Sequence, residues 1–372
     1  MKNRNYNIFI IVYLFILLIS FDSNAIQMIK IAIGLESDQA IIQGNNLVLT
    51  TNNKILFTSK NIIKLNINNN GIIFNKKNLG IKKITIASSN PILYKKQAYH
   101  RKIEINWKNI NKKAQLLIIH HTPLEHYILG TVASEMPTSW PLEALKAQAI
   151  AVRTYALEKK YKNLNKTYHI KNTVLHQVYS GINHINKKVG KAVKLTKGQV
   201  IVSKNALIQA IFHSTCGDKT ENSQDVWGGY LSYLNSSNCG YCKSSTTYRW
   251  ERNFDLSILK RNTINSIGNI IDIKIIKKTK SGRSKRIMII GTNGKQIINS
   301  NKFRSFLGFN NIPSTWFNSI FIKSHRLYIK GKGFGHGVGL CQWGAYGMAK
   351  QGYNATEIIS YYYTDTEIRY MY

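Results

Sequence analysis

Acidic side chains are scarce in this chain, at 17 Asp and Glu against 52 Lys and Arg in 372 residues, for a formal charge of +35. With so few carboxylates, a catalytic acid can be sought by elimination. Proline is scarcer still, at 5, which excludes a collagen-like or proline-rich protein. Cysteine stops at 4. Past the N-terminus, no apolar stretch reaches the ~20 residues that span a bilayer. What is abundant is hydrophobic content, 44%, with 21 Tyr, and this excludes a disordered chain. The basic residues are scattered rather than clustered, and Asn and Ile are equally inflated, so nucleic acid is not an expected partner.

The first residues read as an address. Lys2 and Arg4 precede an apolar stretch from Ile8 to Phe21, and Ser23-Asn24-Ala25 follows with small residues at a cleavage site. The stretch is too short to span, so residues 1–25 are expected to be an export signal cut after Ala25. The alternative is an uncleaved N-terminal anchor, the one route by which a membrane enters. In either case the body lies outside the cytoplasm, in the periplasm or cell envelope, where it meets peptides, glycans, lipids or anionic polymers.

The expected fold class is α+β, a β-rich N-terminal half followed by a mixed α/β region with a central Ala-rich helix. Residues 26–120 read as short strands. Ile29 to Ile33 alternates, and Leu65-Asn-Ile67 and Ile72-Ile-Phe74 flank an Asn70-Gly71 turn. The character changes at Pro123, and residues 121–372 are set apart from the β-rich front. From Ser139 to about Tyr161 the pattern is helical. Leu142, Leu145, Ala149, Val152 and Ala156 form an apolar stripe, with Lys146 and Arg153 expected on its flank. Strands return from Val200 to Phe212, and Asn293-Gly294 marks another hairpin. A glycine-rich loop, Gly331 to Gly339, leads into a short helix from Gln342, and Asn354 to Glu357 opens the last helix with a capping-box pattern.

Three constellations could carry chemistry. The glycine loop fits neither the dinucleotide fingerprint nor the P-loop. It surrounds His336 and precedes Gln342 and Trp343, a set suited to a polar ring such as a sugar, or else a tight turn around a packed His. His213, Cys216, Cys239 and Cys242 supply one imidazole and three sulfurs, a structural zinc set. A disulfide competes with it in an exported chain. Cys341 stands apart and is expected to be packed. Finally, Glu135 sits between an apolar run and Met136-Pro137, where desolvation would raise its pKa as a general acid requires. A buried structural carboxylate is the competing reading.

The last constellation resembles the SpoIID/LytB family, named for stage II sporulation protein D and for enhancers of cell-wall amidases. The first block runs from Leu124-Glu125-x-Tyr127-Ile-x-Gly130 through Glu135-Met-Pro and Trp140-Pro-x-Glu-Ala-Leu-Lys-Ala-Gln-Ala to Arg153-Thr-Tyr155. The second is Phe212-His-Ser-Thr-x-Gly217 through Thr220-Glu-Asn and Val226-Trp-Gly228. The third is Gly335-His-Gly-Val-Gly339 through Gln342-x-Gly344-Ala-x-Gly347-Met-Ala. The resemblance implies that residues 121–372 form one catalytic domain, a lytic transglycosylase that cuts peptidoglycan glycan strands, notably peptide-stripped ones, to 1,6-anhydro ends. Glu135 would be the acid and base, and Arg153 would orient it or stabilise developing charge. Lys146, Tyr155, His336 and Gln342 would bind substrate. The Cys/His set resembles a zinc site of some members, and no organic cofactor is implied. A non-catalytic peptidoglycan-binding enhancer of a cell-wall amidase is the alternative. Ser134 stands where Ala is common, and Asp218 where a second Gly is common.

Overall fold

The computed structural model describes residues 27–52, 54–173, 176–259 and 267–372. The expected export segment lies outside them. Among the described residues, no helix is long and apolar enough to cross a membrane.

The front of the chain is β-structure, as its alternation implies. Met28–Glu36 pairs antiparallel with Lys113–Pro123, which pairs with Lys102–Ile110, and Lys83–Ala87, Leu47–Thr51 and Lys54–Ser59 extend the sheet. A second sheet of six strands contains the hairpin Ile62–Asn68 and Gly71–Phe74, with Asn68 opposite Gly71 across a two-residue turn. Period-two placement buries Ile29, Ile31, Ile42, Leu49, Leu65, Ile84, Ile103, Ile105 and Ile118 in one cluster. Fully burying side chains of this kind contributes roughly 1.5–3 kcal/mol each.

Strand Lys113–Pro123 runs straight into helix α1 (Leu124–Glu135), because Pro123 cannot continue the sheet ladder yet suits a helix start. Helix α2 (Leu142–Lys162) follows, then a short strand, Ile170–Lys171, which returns to pair in parallel with Met28–Glu36. Helices α3 (Lys187–Leu195) and α4 (Ser223–Trp227) come next. After α5 (Ser300–Leu307), α6 (Gln342–Lys350) and α7 (Ala355–Tyr362) close the chain, with a last strand, Glu367–Tyr370, antiparallel to Gln199–Ser203. The capping box at Asn354 and Glu357 is present, each side chain bonding the other residue's backbone N–H.

Helix α2 departs from its expected one-sided stripe. Ala144, Leu145 and every residue from Ala147 to Glu158 are buried, because α1, α3, α6, α7 and strand Gln199–Ser203 surround it. Its five alanines let those neighbours approach on all sides. Arg153 therefore lies inside, 0% exposed, rather than on a flank.

Hydrophobic packing divides the chain in two. One cluster joins both front sheets to the helices and reaches Tyr363. A second, from Trp250 to Ile329, holds Ile273, Ile287, Phe303, Phe317 and Leu327. It is built on two three-stranded sheets and α5, and one of those sheets carries the Asn293-Gly294 hairpin. Glycine-loop residues on its far side, Val338 and Leu340, belong to the first cluster again.

Candidate functional site

Glu135 is the final residue of α1. Its carboxyl keeps part of its surface open while protein forms most of its shell. The Val178 N–H donates to Oε1 at 2.5 Å, and the Gln342 amide donates to the Glu135 carbonyl oxygen at 3.2 Å. No cation lies within ion-pair range of Glu135 among the described residues. Burial pushes the carboxyl up to about 7, against the opposing pull of Val178 and Gln342. A carboxyl poised there exchanges its proton near neutral pH.

The strap that delivers Val178 carried no expectation from the sequence. Tyr127 Oη, on α1, donates to Gln177 Oε1 at 2.7 Å. The Ser180 N–H donates to Ser134 Oγ at 3.2 Å, and Ser134 Oγ donates to the Gly130 carbonyl at 2.7 Å. Ser134, the serine at a position where alanine is common, therefore ties the strap to α1. Gly130 lets the two backbones meet, since a Cβ there would lie 2.0 Å from the Gly181 oxygen. The sequence signal was faint, a lone Gly181 in a run without periodicity.

The other expected site residues divide. Gln342, buried at the start of α6, is brought to Glu135. Trp343 joins Trp140 and Tyr346 in an aromatic group with centroids 4.8–5.4 Å apart. Arg153 is not brought to Glu135. Its Nε and Nη2 donate to the two oxygens of Glu125 at 2.7 and 2.8 Å, and Nη1 donates to the Gln199 carbonyl at 3.2 Å. Glu125 and Glu135 stand at opposite ends of α1, roughly 15 Å apart along the axis. The expected contact thus gives way to a buried pair, which the Tyr372 hydroxyl also joins through Glu125. Lys146 is paired with Glu143 at 2.9 Å, and Glu143 also accepts the Ala355 N–H at the start of α7. Tyr155 Oη bonds His176 Nδ1 at 2.9 Å, at the foot of the strap.

His336 is committed to backbone. Its Nδ1 accepts the Val338 N–H at 3.0 Å. Burial and the nearby Arg283 and Arg304 lower it to about 3, so the ring is neutral. Trp227, half exposed, lies over it at 5.1 Å. The loop is held by a parallel pair, Phe212–His213 beside Leu340–Cys341, which joins the second sequence block to the third. Gln342 then joins the third to the first. Asp218, at a second-glycine position, takes φ 111, a backbone region that favours glycine, and its carboxylate accepts from Tyr248 and Lys332.

The expected metal set needs correcting. Sγ atoms of Cys216, Cys239, Cys242 and Cys341 all lie within 4.8 Å of one another, buried and free of disulfides. His213 is outside the group. Its Nδ1 bonds the Val338 carbonyl at 3.0 Å and its ring faces His336. Spacing along the chain reports only local reach, whereas the parallel pair brings Cys341 from 125 residues away. Cys341 Sγ accepts the N–H groups of Cys216 and Gly344 at 3.2 and 3.3 Å, as a thiolate would. A Cβ at Gly344 would meet the Tyr362 hydroxyl at 1.9 Å and Cys239 Sγ at 2.9 Å, so the glycine makes room for Tyr362 and the sulfur beside it. Four buried thiols cannot all ionise without a cation among them, and their number and softness suit a tetrahedral metal.

Residues 112–202 match the family described as stage II sporulation protein. Stage II sporulation protein D of Bacillus subtilis is 31% identical over 265 residues, 67% of this chain and 75% of that protein. This chain belongs to the stage II sporulation protein D family. An uncharacterised protein of Brachyspira hyodysenteriae is 35% identical over 257 residues, 68% of each chain. The amidase enhancer of B. subtilis is 27% identical over 287 residues, 64% of this chain and 40% of that one. The family match covers α1, α2 and the strap, and so includes Glu135 and Arg153. Residues 230–339 match a domain of unknown function that contains the whole second core.

Proposed function

We propose that this protein acts on the bacterial cell wall as a lytic transglycosylase, cleaving peptidoglycan glycan strands with Glu135 as its one acid and base. The carrying observation is the Glu135 carboxyl, raised to about 7 by burial and pinned by Val178 without a cation beside it. Ordinary glycosidases need a second carboxylate as nucleophile or base. Here the muramoyl C6 hydroxyl is the nucleophile. Protonated Glu135 gives its proton to the glycosidic oxygen as the C1–O bond breaks. The resulting carboxylate then takes the C6 hydroxyl proton as that oxygen closes on C1, leaving a 1,6-anhydro ring and a regenerated acid. Gln342 holds the Glu135 backbone, and the half-buried Trp343 and Tyr346 offer ring faces for sugars. Arg153, paired with Glu125, supports the helix that presents the acid.

An exported, envelope-facing location and the peptide-stripped strand as preferred substrate belong to the same reading. So does zinc held by Cys216, Cys239, Cys242 and Cys341, which would supply structural cross-linking rather than chemistry. The amidase-enhancer relative favours one rival, a protein that binds peptidoglycan and stimulates an amidase without cutting glycan. Mass spectrometry of glycan strands incubated with the protein separates the two. New 1,6-anhydro ends support cleavage, and intact strands with an amidase stimulated in the same tube support the rival.

A further inference from the structure

Among the described residues, Arg283 is a buried cation with no ion-pair partner and two unbonded nitrogens. Arg283, between strands Ile270–Lys278 and Ser284–Gly291 of the second core, is 1% exposed. Its Nη2 donates to the Cys216 carbonyl at 2.7 Å, while Nε and Nη1 have no partner among the described residues. Its guanidinium sits 5.2 Å from the Trp316 ring centre. The glycine loop is shaped around it, since a Cβ on Gly337 would come within 2.5 Å of its nitrogen. The nearby acid, Glu221, makes no ion pair with Arg283 among the described residues and is bonded elsewhere. Its Oε2 accepts the Thr279 and Ser281 hydroxyls at 2.6 Å each, and its Oε1 accepts the Asn222 N–H at 2.9 Å. Asp225, further along the same loop, is paired with Lys285 at 2.6 Å. An unpaired guanidinium in such a place is costly. A further source of negative charge is the cluster of four sulfurs beyond Cys216, whose carbonyl Arg283 bonds.

We propose that Arg283 is the counter-ion of a tetrathiolate metal centre formed by Cys216, Cys239, Cys242 and Cys341. The inference rests on the metal reading above. Four thiolates around one zinc(II) leave two negative charges in excess, and a guanidinium bonded to the backbone of one ligand offsets part of that excess in a buried site. Because Arg283 comes from the second core and the thiols from the first, the pairing also locks the two cores together behind the glycine loop. Partners of this kind, one layer beyond the ligands, typically change metal affinity between 10- and 100-fold.

The test is chelator competition for zinc bound to the full chain, a readout independent of activity. Arg283→Met keeps the stem against Trp316 and removes the charge, so zinc affinity should fall about 10- to 100-fold. Arg283→Lys keeps the charge and should recover most of that loss. Arg304→Met is the control for burial alone, because Arg304 is a second buried guanidinium whose Nε and Nη2 are already bonded to the carbonyls of Ile312 and Pro313 at 2.6 and 2.7 Å. It should lower stability with zinc affinity unchanged. A wild-type chain that binds no metal overturns the metal reading itself. A wild-type chain that binds zinc, with Arg283→Met binding it equally well, overturns only the role of Arg283. If Arg283→Met does not fold, Arg283→Lys decides: affinity within about threefold of wild type supports charge compensation, and a loss as large as the full effect contradicts it.

Discussion

At the scale of single residues, the side chain proposed as the catalyst weakens the fold that carries it. The Glu135 carboxyl titrates near 7 when folded, against an ordinary 4.5, so the folded state holds its proton more tightly than the unfolded chain does. The stability from that protonation is complete below about pH 4.5 and is lost as pH rises through 7. Glu135→Gln should therefore melt progressively higher than wild type between pH 5 and pH 8, with the gap smallest in acid. A carboxyl held below its ordinary value by a partner would give the opposite sign in a melting series. The same titration should make kcat/KM fall as pH rises above about 7, because cleavage starts from the protonated acid. Arg153 is the contrasting case. Removing the buried Arg153 strands Glu125, which is 22% exposed and partly screened, so Arg153→Met should lose at most about 3 kcal/mol in urea unfolding. Glu125→Gln strands the same guanidinium and should also lose stability, so it is no neutral control. The desolvated setting of Glu135 was legible in the sequence because it is local, an apolar run and a Met-Pro. Arg153 was misplaced because a helical-face argument presumes that one face meets water, and α2 is enclosed on all sides.

At the scale of elements, the site depends on how closely the strap of residues 176–181 lies against α1. Gly130→Ala would place a methyl 2.0 Å from the Gly181 oxygen and push the strap away. That displaces the Val178 N–H, which favours the ionised carboxyl, so Glu135 should titrate higher and activity should drop well before the fold is lost. A pH–rate profile for Gly130→Ala beside wild type reads this directly, and an unshifted profile would show that the strap does not set the acid. The hairpins near Asn70-Gly71 and Asn293-Gly294 were legible because such turns are local, although the loops fall one residue earlier, at Asn69-Asn70 and Thr292-Asn293, with each glycine the first paired strand residue. The strap was not, because its work is done by a backbone N–H and by glycines, which leave no periodic pattern. The thiol group was half legible. Cys216, Cys239 and Cys242 follow local spacing, but Cys341 arrives through a parallel strand pair that no spacing rule describes. Accordingly, Cys341→Ser should lose zinc as Cys216→Ser does, and His213→Ala should retain it, as measured by elemental analysis.

At the scale of the whole molecule, the three sequence blocks meet at one place. The first supplies Glu135 on α1, the second and third pair as strands, and Gln342 closes the circuit to Glu135. The front sheets share their core with these helices, so the β-rich half is continuous with the frame that holds α1. The second core stands as a separate cluster, joined to the thiol group through Arg283. Chelation should therefore lower the melting temperature, since the binding energy of a structural metal is folding energy. The central claim, that Glu135 cleaves glycan, is tested most directly by counting 1,6-anhydro ends released from peptide-stripped strands by wild type and Glu135→Gln, with circular dichroism confirming that both are folded. Wild type should release them, and folded Glu135→Gln should be slower by about 10²- to 10⁴-fold or more. Release by Glu135→Gln at a rate near wild type would contradict it.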